Sequence, residues 1–211
     1  MATKEDIIKN WVSSGIIKDK KVIDAFRKIP REDFIEKRKE ESYGDYPLPI
    51  GEGQTISQPT TVAIMTQALE LQKGHKVLEV GAGSGYQAAI ISEIIGPEGK
   101  VISTEIIPEL AKLAQNNVKK LELKNVEVIH YDGSKGYSKE APYDRIIVAA
   151  ASPAIPKPLI SQLKEGGVIV VPVGNMLEQV MIKGRKYKGK LIEESLGDFM
   201  FVPLKGKHGH N

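Results

Sequence analysis

Apolar residues recur at helical spacing in the first part of the chain and gather into short strand-like runs further on. Thr3 and Asp6 form a capping pair ahead of Ile7, Ile8 and Trp11, which recur about one turn apart. Val22, Ile23, Phe26 and Ile29 repeat that spacing, and Pro30 closes the segment. Residues 1–45 are therefore predicted to be helical with charged outer faces. The pattern breaks over residues 43–58, where Tyr43, Gly44, Pro47, Pro49, Gly51 and Gly53 predict a loop. Loops of this composition are often functional. Ser57 is placed to cap a helix over 59–69, with Pro59 in its first turn.

From there the period alternates. Strands are predicted at 76–80, 101–105, 126–130, 145–149 and 168–173, with helices between them at 86–95, 108–121 and 158–163. Strand–helix alternation implies a parallel sheet covered on both faces. The end differs. Residues 179–185 and 191–197 predict a hairpin around a turn at 186–189, followed by an extended run at 199–204. The expected fold class is α/β, a doubly wound, mostly parallel sheet with N-terminal helices and an antiparallel C-terminal edge. One domain is expected, divided into N-terminal helices and substrate loop (1–58), a cofactor-binding core (59–175) and a C-terminal hairpin and tail (176–211).

Composition adds exclusions. The 211 residues are 41% hydrophobic and 27% charged, a globular balance, and the chain has no cysteine for disulfides, thiolate metal sites or a thiol nucleophile. No apolar run is long enough to span a membrane. Charges scattered through residues 1–10 argue against a secretory signal, so a cytoplasmic enzyme is expected. A net charge of +3 does not argue for nucleic acid. Lys183, Arg185, Lys186, Lys188 and Lys190 read as a solvated hairpin edge, where lysines discourage edge pairing. His208 and His210 read as a frayed terminus, and no residue is assigned to a metal.

The strongest local feature is Val77-Leu78-Glu79-Val80-Gly81-Ala82-Gly83-Ser84-Gly85, a buried strand running into a glycine turn that opens a helix. Glycines admit positive φ and close approach of a ligand. A dinucleotide fingerprint wants its third glycine where Tyr86 stands, and no basic residue waits for a phosphate. Carboxylates stand at the strand ends instead. Glu79 precedes the loop, Glu105 ends the second strand where it can accept from ribose hydroxyls, and Asp132 follows the third, within reach of an adenine amino group. S-adenosylmethionine carries ribose, adenine and a sulfonium cation but no phosphate, and it fits that set. A structural strand–helix turn, a surface Glu105 and a tight Asp132-Gly133 turn are the alternatives.

The segment Pro47 to Pro59, with Gln54-Thr55-Ile56-Ser57-Gln58-Pro59 at its end, resembles the signature loop of the protein-L-isoaspartate O-methyltransferase family. Pro142-Tyr143-Asp144-Arg145-Ile146-Ile147-Val148, Pro172-Val173-Gly174 and Phe201-Val202-Pro203-Leu204 extend the resemblance from about residue 16 to 205. One departure is Thr60-Thr61-Val62, where some members carry histidines. The resemblance implies methylation of the free α-carboxylate of L-isoaspartyl residues in damaged proteins and peptides. The ester then closes to a succinimide that partly reopens as normal aspartyl, and S-adenosyl-L-homocysteine is the other product. It implies Ser57 at the reaction centre. Gln54, Thr55, Ile56 and Ser57 would line the cofactor. Gly81, Gly83 and Gly85 would meet its methionine part, Glu105 the ribose, and Asp132 with Gly133 the adenine, and Glu79 and Ile106 would also belong to the cofactor site. Ile56, Ser57, Val202, Pro203 and Leu204 would hold substrate, with 202–204 pairing to its backbone.

A monomer acting on isoaspartyl proteins, with neither nucleic acid nor membrane as partner, is the expectation. Rival readings are a methyltransferase for RNA or a small molecule, a nicotinamide dehydrogenase, and a binding module that has lost its chemistry. RNA binding would call for stacking aromatics or a basic groove, and aromatics are 6%. The dehydrogenase is disfavoured by Tyr86, and the binding module by the intact Ser57 loop.

Overall fold

The capping pair forms in the computed structural model, which describes residues 2–210. The Thr3 hydroxyl accepts from Asp6 N, the Asp6 carboxylate accepts from Thr3 N, and helix α1 (Lys4–Ser14) follows. Helix α2 (Lys20–Lys28) buries Val22, Ile23, Ala25 and Phe26 as the periodicity predicts. Beyond Pro30 the chain is not regularly helical; it makes short 3-10 turns at Arg31–Phe34 and Lys39–Glu41.

The predicted loop at 43–58 contains a two-stranded antiparallel ribbon. Strands β1 (Leu48–Gly51) and β2 (Gln54–Ile56) pair around Glu52 and Gly53, both at positive φ. That is the geometry of a tight hairpin turn whose twist matches its strands. Helix α3 (Pro59–Ala68) has Gln58, not Ser57, as its N-cap, and no side chain caps it. The capping role expected for Ser57 is therefore not realised.

The central sheet combines β3 (Lys76–Val80), β4 (Lys100–Glu105), β5 (Val126–His130), β6 (Tyr143–Val148), β7 (Leu163–Gly174), β8 (Gln179–Tyr187) and β9 (Lys190–Asp198). Its order is β5-β4-β3-β6-β7-β8-β9, parallel from β5 to β7 and antiparallel from there to the edge. Helices α4 (Tyr86–Ile95), α5 (Pro108–Lys120) and α6 (Lys157–Gln162) make the crossovers. Adjacent strand residues point to opposite faces. Val77, Ile147, Val168 and Val170 join α1 to α4 in one core, while Leu78, Ile146, Ile169 and Val171 pack with Leu159 of α6 and Leu204 in another. Burial on both faces is why these strands read as unbroken apolar runs.

Several boundaries differ; strand β6, expected at 145–149, covers Tyr143–Val148. Strand β7 begins at Leu163, so the Gly166-Gly167 pair lies within it, and the hairpin strands each gain residues, leaving only Lys188 and Gly189 at the turn. The run at 199–204 is not a strand; it makes a single parallel bridge from Pro203 to Ala151. The segment 207–210 is not frayed. Lys207 N donates to Asp132 Oδ2 (3.0 Å), His208 N to Ser134 Oγ (3.1 Å) and His210 N to the Leu204 carbonyl (2.8 Å).

The basic hairpin is more neutralised than a solvated edge would be. Lys183 and Arg185 both pair with Glu70, and Lys186 Nζ donates to the carbonyls of Ile160 and Leu163. No helix among the described residues is long and apolar enough to cross a membrane.

Candidate active site

The chain leaves β3 toward β4 on one side and returns to β6 on the other, so a crevice opens at the carboxyl end of β3. The glycine turn lies there. Gly81, Gly83 and Gly85 have φ of 93°, 54° and 85°. The Thr104 carbonyl fixes the turn by accepting from Gly81 N (2.8 Å) and Ala82 N (3.1 Å). The β1–β2 ribbon folds over it, so that a methyl group built on Gly83 would sit 3.3 Å from Ile50 Cδ1. Between turn and ribbon lies a cleft walled by the glycine turn, the ribbon and residues 202–205.

Twelve of the expected site residues line this cleft: Gln54, Thr55, Ile56, Ser57, Gly81, Gly83, Glu105, Ile106, Gly133, Val202, Pro203 and Leu204. Ser57 is half-buried, and among the described residues its hydroxyl makes no hydrogen bond to the protein. Glu105 is buried, with Oε2 accepting from Gly83 N (2.9 Å) and Oε1 from Ile107 N (3.0 Å). It thus ties the glycine turn to the segment after β4 while keeping lone pairs for a ligand.

Glu79, Gly85 and Asp132 are not on the cleft wall. Gly85 is the N-cap of α4, packed against Ala114. Glu79 lies beneath the turn, fully buried, with Ser103 Oγ donating to Oε2 and with Oε1 unpartnered. Burial pushes its carboxyl up to about 8; the Ser103 bond pulls it back, and the neighbouring Glu105 charge raises it further. Glu79 therefore contributes stability that is lost as pH rises, because the unfolded chain gives up this proton near 4.5 and the folded chain holds it to about 8. Glu79→Gln, which mimics the protonated acid, should melt with the wild type near pH 5 and above it at pH 9. Parallel melting curves across that range would show that Glu79 is ionised in the folded protein.

Asp132 is used by the protein itself. Oδ1 accepts from Ser134 N (3.1 Å) and Ser134 Oγ (2.6 Å), Oδ2 accepts from Lys207 N, and Lys135 Nζ is 3.4 Å away. Burial works against its charge, but these partners outweigh burial and hold the carboxyl below the ordinary range. What reaches the cleft is Gly133, where a methyl group would collide with Thr104 Oγ1. Asp132-Gly133 is the chain's only Asp-Gly pair, and succinimide closure there needs the carboxylate to leave all these contacts. In aged folded protein, isoaspartate at 132 should form at least about tenfold more slowly than in a peptide of the same sequence, because it requires local opening. Equal rates by peptide mapping would contradict this.

Several wall residues were not legible from the sequence. Val62 and Met65 come from one face of α3, Gln87 from α4 and Leu110 from α5. Spacing along α3 and α5 is the only signal that could have found them. Thr60, at the departure from the family pattern, supports the ribbon from behind: Oγ1 accepts from Trp11 Nε1 (2.7 Å) and donates to Asp45 (2.7 Å). Arg31 is fully buried over the Tyr86 ring, and its Nη2 donates to the Ile56 carbonyl (3.4 Å) beside Ser57. Burial lowers its guanidinium to about 10.

The cleft suits one kind of nucleotide-like ligand. Its only basic side chain is Lys205, distant in sequence from the glycine turn, and it offers a carboxylate at the end of β4 and apolar walls at Ile106, Ile107 and Leu110. The free N–H groups opening α4 suit an anion such as an amino-acid carboxylate. Doubly wound sheet, glycine turn without a basic side chain, and a carboxylate at the end of β4 together mark an S-adenosylmethionine-dependent methyltransferase.

Comparison with known proteins narrows the class. The family model for protein-L-isoaspartate(D-aspartate) O-methyltransferase matches residues 2–209, and the chain belongs to that family. It is 54% identical over 191 residues to protein-L-isoaspartate O-methyltransferase 2 of Archaeoglobus fulgidus, covering 90% of this chain and 87% of the relative. A solved protein-L-isoaspartate O-methyltransferase superposes with a TM-score of 0.89 at 31% identity, over 98% of this chain and 67% of that one. A second, from Plasmodium falciparum in complex with S-adenosyl-L-homocysteine, gives 0.85 at 26% identity over 97% and 99%.

Proposed function

We propose that this chain transfers the methyl group of S-adenosylmethionine to the free α-carboxylate of L-isoaspartyl residues in damaged proteins and peptides, with Ser57 at the reaction centre. The observation that carries this reading is the position of Ser57. It lies on the wall of the cofactor cleft and also on the wall of a second, open groove, with its hydroxyl unpartnered among the described residues. A group at that junction can touch a substrate from the groove and the reactive end of a ligand in the cleft.

Held by residues 54–57, the glycine turn and Glu105, the cofactor would supply a sulfonium-bound methyl group for a carboxylate oxygen, with S-adenosyl-L-homocysteine as the leaving product. A carboxylate with an ordinary value of about 4 is ionised at neutral pH, so no general base is required. The Ser57 hydroxyl donates to one carboxylate oxygen and aims the other. The β1–β2 ribbon and residues 202–204 close the site from either side and exclude water. The backbone of 202–204 is partly committed, since Val202 O accepts from Ala151 N (2.8 Å) and Leu204 N donates to Ala151 O (2.7 Å). Its pairing with substrate therefore falls to the remaining groups, Val202 N and Pro203 O. Glu105 and Ile106 take the ribose side, and Gly133 the adenine side. The enzyme works as a monomer in the cytoplasm, without nucleic acid; the internal pairing of the basic hairpin supports the last point.

After methylation the ester closes to a succinimide without the enzyme, and hydrolysis returns part of it as normal aspartyl. Repeated turnover of an isoaspartyl peptide with S-adenosylmethionine should accumulate the aspartyl peptide, separable by chromatography. An isoaspartyl peptide that is unchanged after many cofactor equivalents would refute the repair role.

A further inference from the structure

Among the described residues Arg31 is the only fully buried basic side chain, and no step of the methyl transfer uses it. Its Nε and Nη1 have no hydrogen-bond partner there, and Nη2 has only the Ile56 carbonyl (3.4 Å). The carboxylates close to it are engaged elsewhere. Glu32 accepts from the Tyr43 hydroxyl, and Asp45, whose charge favours the guanidinium, accepts from Thr60 N (3.0 Å) and Thr60 Oγ1 (2.7 Å). Burying a cation with so few partners is costly, and apolar residues of similar volume often replace buried charges without loss of stability. The charge therefore does little for the fold, and its location shows what it serves.

Strand β2 ends at Ile56, opposite Leu48 of β1, and α3 begins at Pro59. Ser57 falls in the gap, past the last paired residue and ahead of the helix, with its hydroxyl unpartnered among the described residues. Its position is set by what holds its neighbours. On the helix side Thr60 is tied to Asp45, and on the strand side the Ile56 carbonyl faces Arg31. The guanidinium is itself held. It lies over the Tyr86 ring (5.2 Å to the centroid), and Phe26 and Phe34 meet that ring edge-on at centroid distances of 6.0 and 5.2 Å. In so dry a setting a contact from a charged donor to a carbonyl is stronger than the same contact in water.

We infer that Arg31 is a positioning residue for methyl transfer, holding the Ile56–Ser57 peptide from behind the ribbon so that the Ser57 hydroxyl stays aimed at the junction of cleft and groove. The inference rests on the reading that places Ser57 at the reaction centre, and it adds how a serine without contacts of its own is kept in place. Arg31 acts through the ribbon, since Ile56 and Tyr86 line the cleft and Arg31 does not.

The test compares Arg31→Met, Arg31→Lys, Ser57→Ala and the double variant Ser57→Ala, Arg31→Met. For each, kcat and KM with an isoaspartyl peptide, the dissociation constant for S-adenosylmethionine and the melting temperature are measured. Arg31→Met should lower kcat by about tenfold, because a small misplacement of a reacting group is enough for such a loss. Its cofactor affinity should stay within about twofold of wild type, as for a residue that acts only on turnover. Its melting temperature should not fall, because a poorly partnered charge has been removed. Arg31→Lys, which keeps the charge on a shorter stem, should retain more of kcat than Arg31→Met. In the Ser57→Ala background the Arg31→Met change should cost less than about twofold, since the group it positions is already gone. A full tenfold loss in that background, an unchanged kcat for Arg31→Met, or a melting temperature that falls in step with activity overturns the positioning role and leaves methyl transfer intact. A Ser57→Ala enzyme with wild-type kcat removes Ser57 from the reaction centre, and the role of Arg31 with it.

Discussion

Replacing Ser57 with alanine is expected to lower kcat by about 10²-fold and to leave the dissociation constant for S-adenosylmethionine within about twofold, the pattern for loss of one positioned hydrogen-bond donor. Among the described residues the hydroxyl has no partner, so its removal orphans no buried group there. Gln58 and not Ser57 begins α3, so alanine also spares the roughly 1 kcal/mol that loss of a helix cap costs. The melting temperature should hold, which separates a role in the reaction from a role in the fold. Threonine, which keeps the hydroxyl, should restore part of the rate if its extra methyl is tolerated. An equal fall in turnover and cofactor affinity for Ser57→Ala would refute placement at the reaction centre.

Glu105→Ala should weaken cofactor binding by about 10²-fold or more. The lost carboxylate has two duties: it accepts from Gly83 N and Ile107 N inside the protein, and it faces the cleft at the ribose side. Leaving two part-buried N–H groups without this acceptor costs less than the about 1–3 kcal/mol of a fully buried one. That loss is divided between a lower melting temperature and a glycine turn no longer held for the ligand. Glu105→Gln keeps one acceptor oxygen and should fall between the two. Calorimetry giving an unchanged dissociation constant for the alanine variant would remove Glu105 from the site.

The parts of this molecule that could be read from sequence are those with local causes. The strands β3, β4 and β6 announce themselves because burial on both faces demands continuous apolar residues. The glycine turn is visible because only glycine supplies three positive φ values in so short a space. The β1–β2 ribbon is hidden because its seven strand residues include Pro49 and Gly51, with Pro47 and Gly53 beside them, the composition of a loop; pairing across the Glu52-Gly53 turn decides its structure. Strand β7 was cut short for a similar reason, since Gly166-Gly167 looks like an end and is carried through by its neighbours β6 and β8.

Within the site, Asp132 shows the limit most clearly. Its place after β5 is legible, but Lys207, which engages its carboxylate, lies far along the chain, and nothing near either residue signals the contact. The same tail contact explains why His208 and His210 are ordered where the sequence suggests fraying. Arg31 is hidden in the opposite way. An arginine beside a proline at the end of a helix reads as surface, whereas here it is fully buried against the Ile56 carbonyl and the face of Tyr86.

The central claim is methyl transfer selective for the isoaspartyl carboxylate, and the most direct test pairs two short peptides that differ only in isoaspartate or normal aspartate at one position. Each is incubated with the enzyme and methyl-labelled S-adenosylmethionine. Base-labile label on the isoaspartyl peptide and none on its partner is the predicted result. Equal label on both peptides, or no label on either while the cofactor still binds in a parallel titration, would contradict it.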